Sequence, residues 1–269
     1  LQDDLNPFVF LWRHRQLILH TTHSDIRARY RGSMLGIAWA FLNPLMLLSV
    51  YVVLYVFILR VRLPEGRPAS ALEYTLVIFA GLIPWFGFSE SISTSLSSIV
   101  GNPSLIHNTS FPAPILPVKA VLSSMVGQAV GLMLLLGLLA ATDHASIHWL
   151  FLPVALAAQV LLSLGLGWVL AVLNVFVRDL GQAVSHLLMV LMLISPIAYT
   201  REFLGPSPFR LVLDLNPLSY LINLYRDPLV HGHLPRPLDV AVSSVVAVAV
   251  FLLGFRFFVR IKPYLADRV

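Results

Sequence analysis

Residues 150–177 read LFLPVALAAQVLLSLGLGWVLAVLNVFV, 28 positions without a charge. As a helix rising 1.5 Å per residue this run reaches about 42 Å. The hydrocarbon core of a bilayer is only ~30 Å thick. Such a helix belongs in lipid, and five further stretches around it read the same way. Residues 37–59 and 120–141 carry no charge, and residues 74–97 carry only Glu90. Residues 180–200 are apolar but interrupted by Pro196. Residues 240–259 hold Arg256 near their end, where an arginine snorkels to the interface.

Composition points the same way. Hydrophobic residues make up 58% and charged residues 12%, about half the usual globular share, which excludes an ordinary soluble domain. There is no cysteine, so disulfides and thiolate chemistry are excluded. His231/His233 and His20/His23 have passable metal spacing, but no carboxylate cluster accompanies them, and no metal is expected. No nucleophile, base and orienting group fall together, so no catalytic residue is assigned. Neither lysine, Lys119 or Lys262, sits in a Gly-x-x-x-x-Gly-Lys-Ser/Thr phosphate loop. ATP-driven work would need another chain. The N-terminus lacks a short apolar core with a cleavage site, so no signal peptide is expected.

The expected fold is an all-α membrane protein with six transmembrane helices in a domain over residues 37–269. Residues 1–36 form an interfacial segment before it. Six spans put both termini on one side. That side collects 11 Lys and Arg against 7 on the other, which makes it cytoplasmic. Along residues 8–31, wound at 100° per residue, Arg13, Gln16, His20, His23, Ser24, Arg27 and Arg31 share one face. Phe8, Leu11, Ile18, Leu19 and Ile26 share another, with Arg15 and Arg29 snorkelling out of it. This is the pattern of an amphipathic helix lying among lipid head groups; a soluble helix packed on a partner is the alternative.

Two connections stand out. Residues 101–117 hold Pro103, Pro112, Pro114 and Pro117, so only a short helix fits, with Pro103 at a first helical position. Residues 200–237 hold six prolines around two apolar runs, 209–213 and 218–224. The fifth span, cut at Pro196, gives ~22 Å of helix, short of a bilayer core. The expectation is a short fifth helix followed by re-entrant helices in the extracytoplasmic leaflet. Backbone at that depth needs protein or a water-filled cavity beside it.

Residues 29–44 read RYRGSMLGIAWAFLNP. In order come GLIPWF at 81–86, NPSLI at 102–106 with Phe111-Pro112, ILP at 115–117, NVFVRD at 174–179, SPIAY at 195–199, Asn216-Pro217 and Tyr225-Arg226. This succession resembles the type-2 ABC exporter permeases that move O-antigen, capsule and teichoic-acid chains, over nearly the whole chain. The resemblance implies a permease of the bacterial inner membrane, working as two copies with two ATP-binding cassette subunits. ATP and magnesium would sit on those partners, and no cofactor on this chain. Other implied partners are the polysaccharide, membrane lipids and periplasmic export components, with no nucleic acid. The cargo would be lipid-linked.

By the same resemblance residues 102–112 are the coupling helix that fits a groove on the ATPase. Its implied contacts are Pro103, Leu105, Ile106, His107, Asn108, Phe111 and Pro112. Family members often carry a lysine where this chain has His107, so the charge there depends on pH. The pair Arg178-Asp179 either fixes the position of a partner or simply ends a helix at the interface. Aromatic planes stack on sugar rings, which makes Tyr51 and Tyr55, one helical turn apart, candidates for the channel lining. Trp85, Phe86, Phe88, Tyr199 and Tyr220 join them, with Trp39 and Trp168 considered too; an interfacial aromatic belt is the competing account. Glu90, an acid inside a span, should face protein or water. Two other readings stand beside this one. One is a same-fold exporter of small amphiphiles or drugs. The other is an ATPase-independent secondary transporter or channel, against which the absence of an internal repeat counts.

Overall fold

The computed structural model describes residues 6–31, 34–58, 71–107, 111–177, 179–197, 199 and 208–265. It is helical throughout, with no strand among the described residues. The N-terminal segment is two helices, α1 (Pro7–Arg13) and α2 (Arg15–Tyr30), where one was expected. Asn6 caps α1, accepting from the Phe8 N–H at 3.0 Å, and Pro7 sits at the first helical position. The break is at His14, whose ring and N–H both turn back to the Phe10 carbonyl. Phe10, Leu11, Leu17 and Ile18 turn toward the bundle. Phe8, Trp12 and Leu19 stay exposed. Arg15 does not simply snorkel: its guanidinium lies 4.7 Å over the Trp12 ring.

Next comes α3 (Trp39–Val52), which contains Pro44 and runs into a π-helical turn over Val53–Ile58. Then follow α4 (Ala71–Leu96), the short α5 (Pro103–His107), α6 (Ile115–Ala141) and α7 (Leu152–Phe176). After α8 (Leu180–Ile194) come α9 (Phe209–Leu215), α10 (Pro217–Arg226) and α11 (Pro237–Ile261). Among the described residues four helical stretches are long and apolar enough to cross a membrane: Tyr74–Leu96, Ile115–Ala141, Ile147–Phe176 and Pro237–Tyr264. The first and fifth expected spans are shorter apolar helices, Phe41–Val52 and Leu180–Ile194. The physical reason for the fifth is Pro196, which holds Ser195 in extended backbone and stops α8 at Ile194.

Between α7 and α11 no side chain separates the backbones at Gly165 and Gly254. A Cβ on either would run into main-chain atoms of the other helix. Two cores result. One lies at the end that carries both termini, where Trp168, Phe251, Phe255 and Phe258 meet Ile18 of α2 and Leu265. Rings join α1 to it: Phe8 lies 5.0 Å from Phe251 and Phe10 lies 5.4 Å from Phe255. The other core fills the middle and far end around Trp85, Phe88 and Tyr225, with α4 at its centre.

Candidate functional site

A cavity of about 880 Å3 opens between α3, α4 and α6. Its end nearest the termini is polar, lined by Arg29, Asn43, Ser89, Glu90 and Ser93, with Trp39 and Phe86 beside them. Toward the far end the wall turns apolar, through Leu47, Leu48, Phe79, Leu82 and Ile83. A space so divided accepts an amphiphile or a polar chain bearing apolar faces.

Glu90 pairs with Arg29, across 61 residues of sequence, so the arginine expected to snorkel instead reaches into the bundle. Both side chains stay partly exposed, 30% for Arg29 and 40% for Glu90, and both line the cavity. A second pair anchors α2 to α6: Lys119 Nζ donates to Asp25 Oδ1 at 3.0 Å. Asp25 is the lone acid of a basic helix, a signal in the sequence whose partner could not be read there.

Gln128 joins the cavity wall to the far end of the molecule. Its Nε2 donates to Gln159 Oε1 at 2.9 Å, and Gln159 Nε2 returns the bond at 2.7 Å. The Tyr225 hydroxyl donates to Gln159 Oε1 at 2.6 Å, and Gln159 also donates to the Pro84 carbonyl at 3.1 Å. All three side chains are buried. Gly87 makes room for the network, because a Cβ there would collide with Gln128. One residue on, Arg226 donates through Nη2 to the Pro196 and Ile197 carbonyls at 2.5 and 2.8 Å. Asn216 closes the arrangement from the other side, its Nδ2 donating to Ser195 Oγ at 2.9 Å. The motifs at 81–86, 195–199, 216–217 and 225–226, far apart in sequence, therefore meet around one joint. Gln128 and Gln159 were missed, although an amide in an otherwise apolar span is itself a signal.

The expected channel residues divide. Phe86 and Glu90 line the cavity. Trp85 and Phe88 do not: they are 3% and 4% exposed, their rings 6.2 Å apart in the core. Trp168 is fully buried and donates to the Pro114 carbonyl at 2.9 Å. These rings face inward because helical periodicity sets them on the sides of α4 and α7 that other helices cover. Tyr51 turns toward α8, its hydroxyl 3.8 Å from Met192 Sδ. The Tyr220 hydroxyl donates to the Asp214 carbonyl at 2.8 Å and the Tyr199 hydroxyl to that of Leu193 at 3.2 Å. Asn108 and Arg178 lie outside the described residues, as do the side chains of Tyr55 and His107. Asp179 sits just before α8 without capping it through its side chain.

In the short helix α5, Pro103 and Ser104 are exposed. Leu105, Ile106 and Phe111 lie partly against the protomer's own core. Asn102 ties the segment back to the turn that follows α4, donating to the Ser98 carbonyl at 2.9 Å. Among the described residues no group of three His, Cys, Asp or Glu side chains could hold a metal ion.

A multi-pass helical bundle with a half-polar cavity beside an ion pair is the build of a membrane transport protein. The family model described as ABC-2 type transporter matches residues 16–230, and the chain belongs to that family. An O-antigen export system permease protein RfbA of Myxococcus xanthus is 32% identical to it over 247 residues, covering 90% of each chain. A protein of the same description from Klebsiella pneumoniae is 27% identical, covering 93% of this chain and 94% of its own. A polysialic acid transport protein KpsM of Escherichia coli is 23% identical, covering 86% of this chain and 87% of its own.

Proposed function

We propose that this chain is the membrane-spanning permease subunit of an ATP-driven exporter that moves lipid-linked polysaccharide across the bacterial inner membrane. The observation that carries the reading is the end-to-end similarity to an O-antigen export permease, at 32% identity. Two copies enclose the path, and each binds a separate ATP-binding cassette subunit that holds ATP and magnesium. Both termini face the cytoplasm, in keeping with the excess of Lys and Arg on that side. α3 and α8 complete six spans, and α9 and α10 dip into the extracytoplasmic leaflet as a re-entrant pair. Exposed apolar faces on α3 (Phe41, Leu45, Met46) and α8 (Leu187, Met189, Val190) are left for lipid and the second copy.

In this reading ATP binding draws the cassette subunits together, and α5 takes the push. Asn102 and the packing of Ile106 and Phe111 hand it to α4 and to the aromatic core, which α1 and α2 share. Movement of α2 then reaches the polar end of the cavity through Arg29 and Glu90.

Deleting the chain from its host should leave polymer inside the cell. Restoring it together with its ATPase should return polymer to the surface. Surface polymer unchanged by the deletion would refute the reading. Val100, just before α5, and Ser104, within it, are exposed. Changing both to Arg should release the ATPase in pull-downs while the protein still inserts, whereas Ile106→Asp would damage the subunit's own core.

A further inference from the structure

The cavity between α3, α4 and α6 has a division of labour that export alone does not require. At its polar end a carboxylate, a guanidinium, an amide and two hydroxyls (Glu90, Arg29, Asn43, Ser89 and Ser93) surround two aromatic side chains, Trp39 and Phe86. Carboxylate and amide groups accept from and donate to sugar hydroxyls, and aromatic faces stack against the C–H faces of a sugar ring. Hydrocarbon would close the Arg29–Glu90 charges off from water and offer nothing to the remaining hydrogen-bonding capacity around them. A wholly polar ligand would leave Leu47, Leu48 and Val50 bare toward water. The occupant that matches both ends carries a sugar on an apolar tail.

We propose that this cavity holds the lipid-proximal sugar of a lipid-linked polysaccharide, with the sugar at the polar end and the start of its lipid along the apolar wall. The proposal rests on the polysaccharide-export reading and adds a site inside one protomer. The Arg29–Glu90 pair stands at that site. Both partners stay partly exposed to the cavity, so a sugar hydroxyl reaches either without a buried charge being stripped. Gln128 lines the same wall and is bonded to Gln159, which puts the occupied site in contact with the joint at Tyr225.

The test is photo-crosslinking in host cells. A benzophenone amino acid replaces Phe86 at the polar end, Leu47 on the apolar wall, or Val245 on the exposed face of α11. Cells grow with radiolabelled acetate to mark lipid. After irradiation the Phe86 and Leu47 positions should each give a band that stains for carbohydrate and carries lipid label. That band should be missing in cells that cannot make the polymer, and Val245 should give no carbohydrate. Three results overturn the proposal: no carbohydrate at Phe86 while export proceeds, equal carbohydrate at Val245, or carbohydrate without lipid label. The last would mean a free chain. Trp39→Ala should lower export roughly two- to tenfold at unchanged protein level and thermal midpoint, with Trp39→Phe restoring most of it. Normal export by Trp39→Ala also counts against the site. Surface polymer unchanged on deleting the whole chain would instead defeat the export reading, so the two failures are separable.

Discussion

At the far end of the bundle, Gln128, Gln159 and Tyr225 exchange hydrogen bonds of 2.6 to 3.1 Å, all buried. At the end that carries the termini, α2 packs Ile18 into the aromatic core, and its ion pairs among the described residues, Arg29–Glu90 and Asp25–Lys119, keep from 12% to 40% side-chain exposure. The first arrangement uses neutral groups, with the buried Arg226 guanidinium held by two carbonyls beside them, so moving any of these strands a buried donor or acceptor at ~1–3 kcal/mol. The second uses charges that water can take over, and such pairs contribute only ~0–1 kcal/mol. One set of polar contacts is built to stay and the other to let go. That is the distribution a transporter needs if its drive comes from a partner at the releasable end.

The largest effect should come from breaking the fixed end. Arg226→Met strands the Pro196 and Ile197 carbonyls in the core and should lower stability by about 2–5 kcal/mol. Thermal unfolding in lipid nanodiscs measures it. A variant as stable as the parent would erase the contrast between the ends.

A smaller effect concerns pH at the same end. Asp227 follows Arg226 in a tight π-helical turn, and burial raises its carboxyl to about 6, with Asp239 adding to the rise and His233 opposing it. The folded state then holds this proton more tightly than the unfolded one. Stability from this group is therefore intact below pH ~4, falls as pH rises toward about 6, and is flat above that. Asp227→Asn should remove that slope from a pH series of unfolding midpoints. An unchanged slope would place the titration elsewhere.

The smallest effect on stability, and the sharpest on the comparison, is at the releasable end. Arg29→Glu should shift stability by less than ~1 kcal/mol while lowering export. Combining it with Glu90→Arg should restore export, since the reversed pair closes the same gap. If Arg29→Glu instead unfolds the protein, α2 is part of the fixed core and the contrast fails.

Much of this architecture is legible in the sequence because it follows from one-dimensional rules. Length and scarcity of charge mark the four long apolar helices. Pro103 opens α5 where its missing N–H goes unfelt. Pro196 limits α8, and the apolar runs at 209–213 and 218–224 became α9 and α10. Direction around a helix was less legible. Trp85 and Phe86 are neighbours on α4, yet one fills the core and the other lines the cavity, because adjacent residues point about 100° apart. In a fully apolar span nothing in the pattern says which side is covered.

The sequence by itself therefore determined the membrane class, the approximate helices and the family, each a matter of local composition or ordered motifs. Only the tertiary structure decided which partners the polar residues would find. Glu90 meets Arg29 from 61 residues away, Lys119 meets Asp25 from 94, and Gln128 meets Tyr225 from 97. A polar group in lipid must be satisfied, and that much is readable one residue at a time. Which group satisfies it depends on helix order and rotation, and these are set by close contacts such as Gly165 against Gly254 that no local pattern encodes.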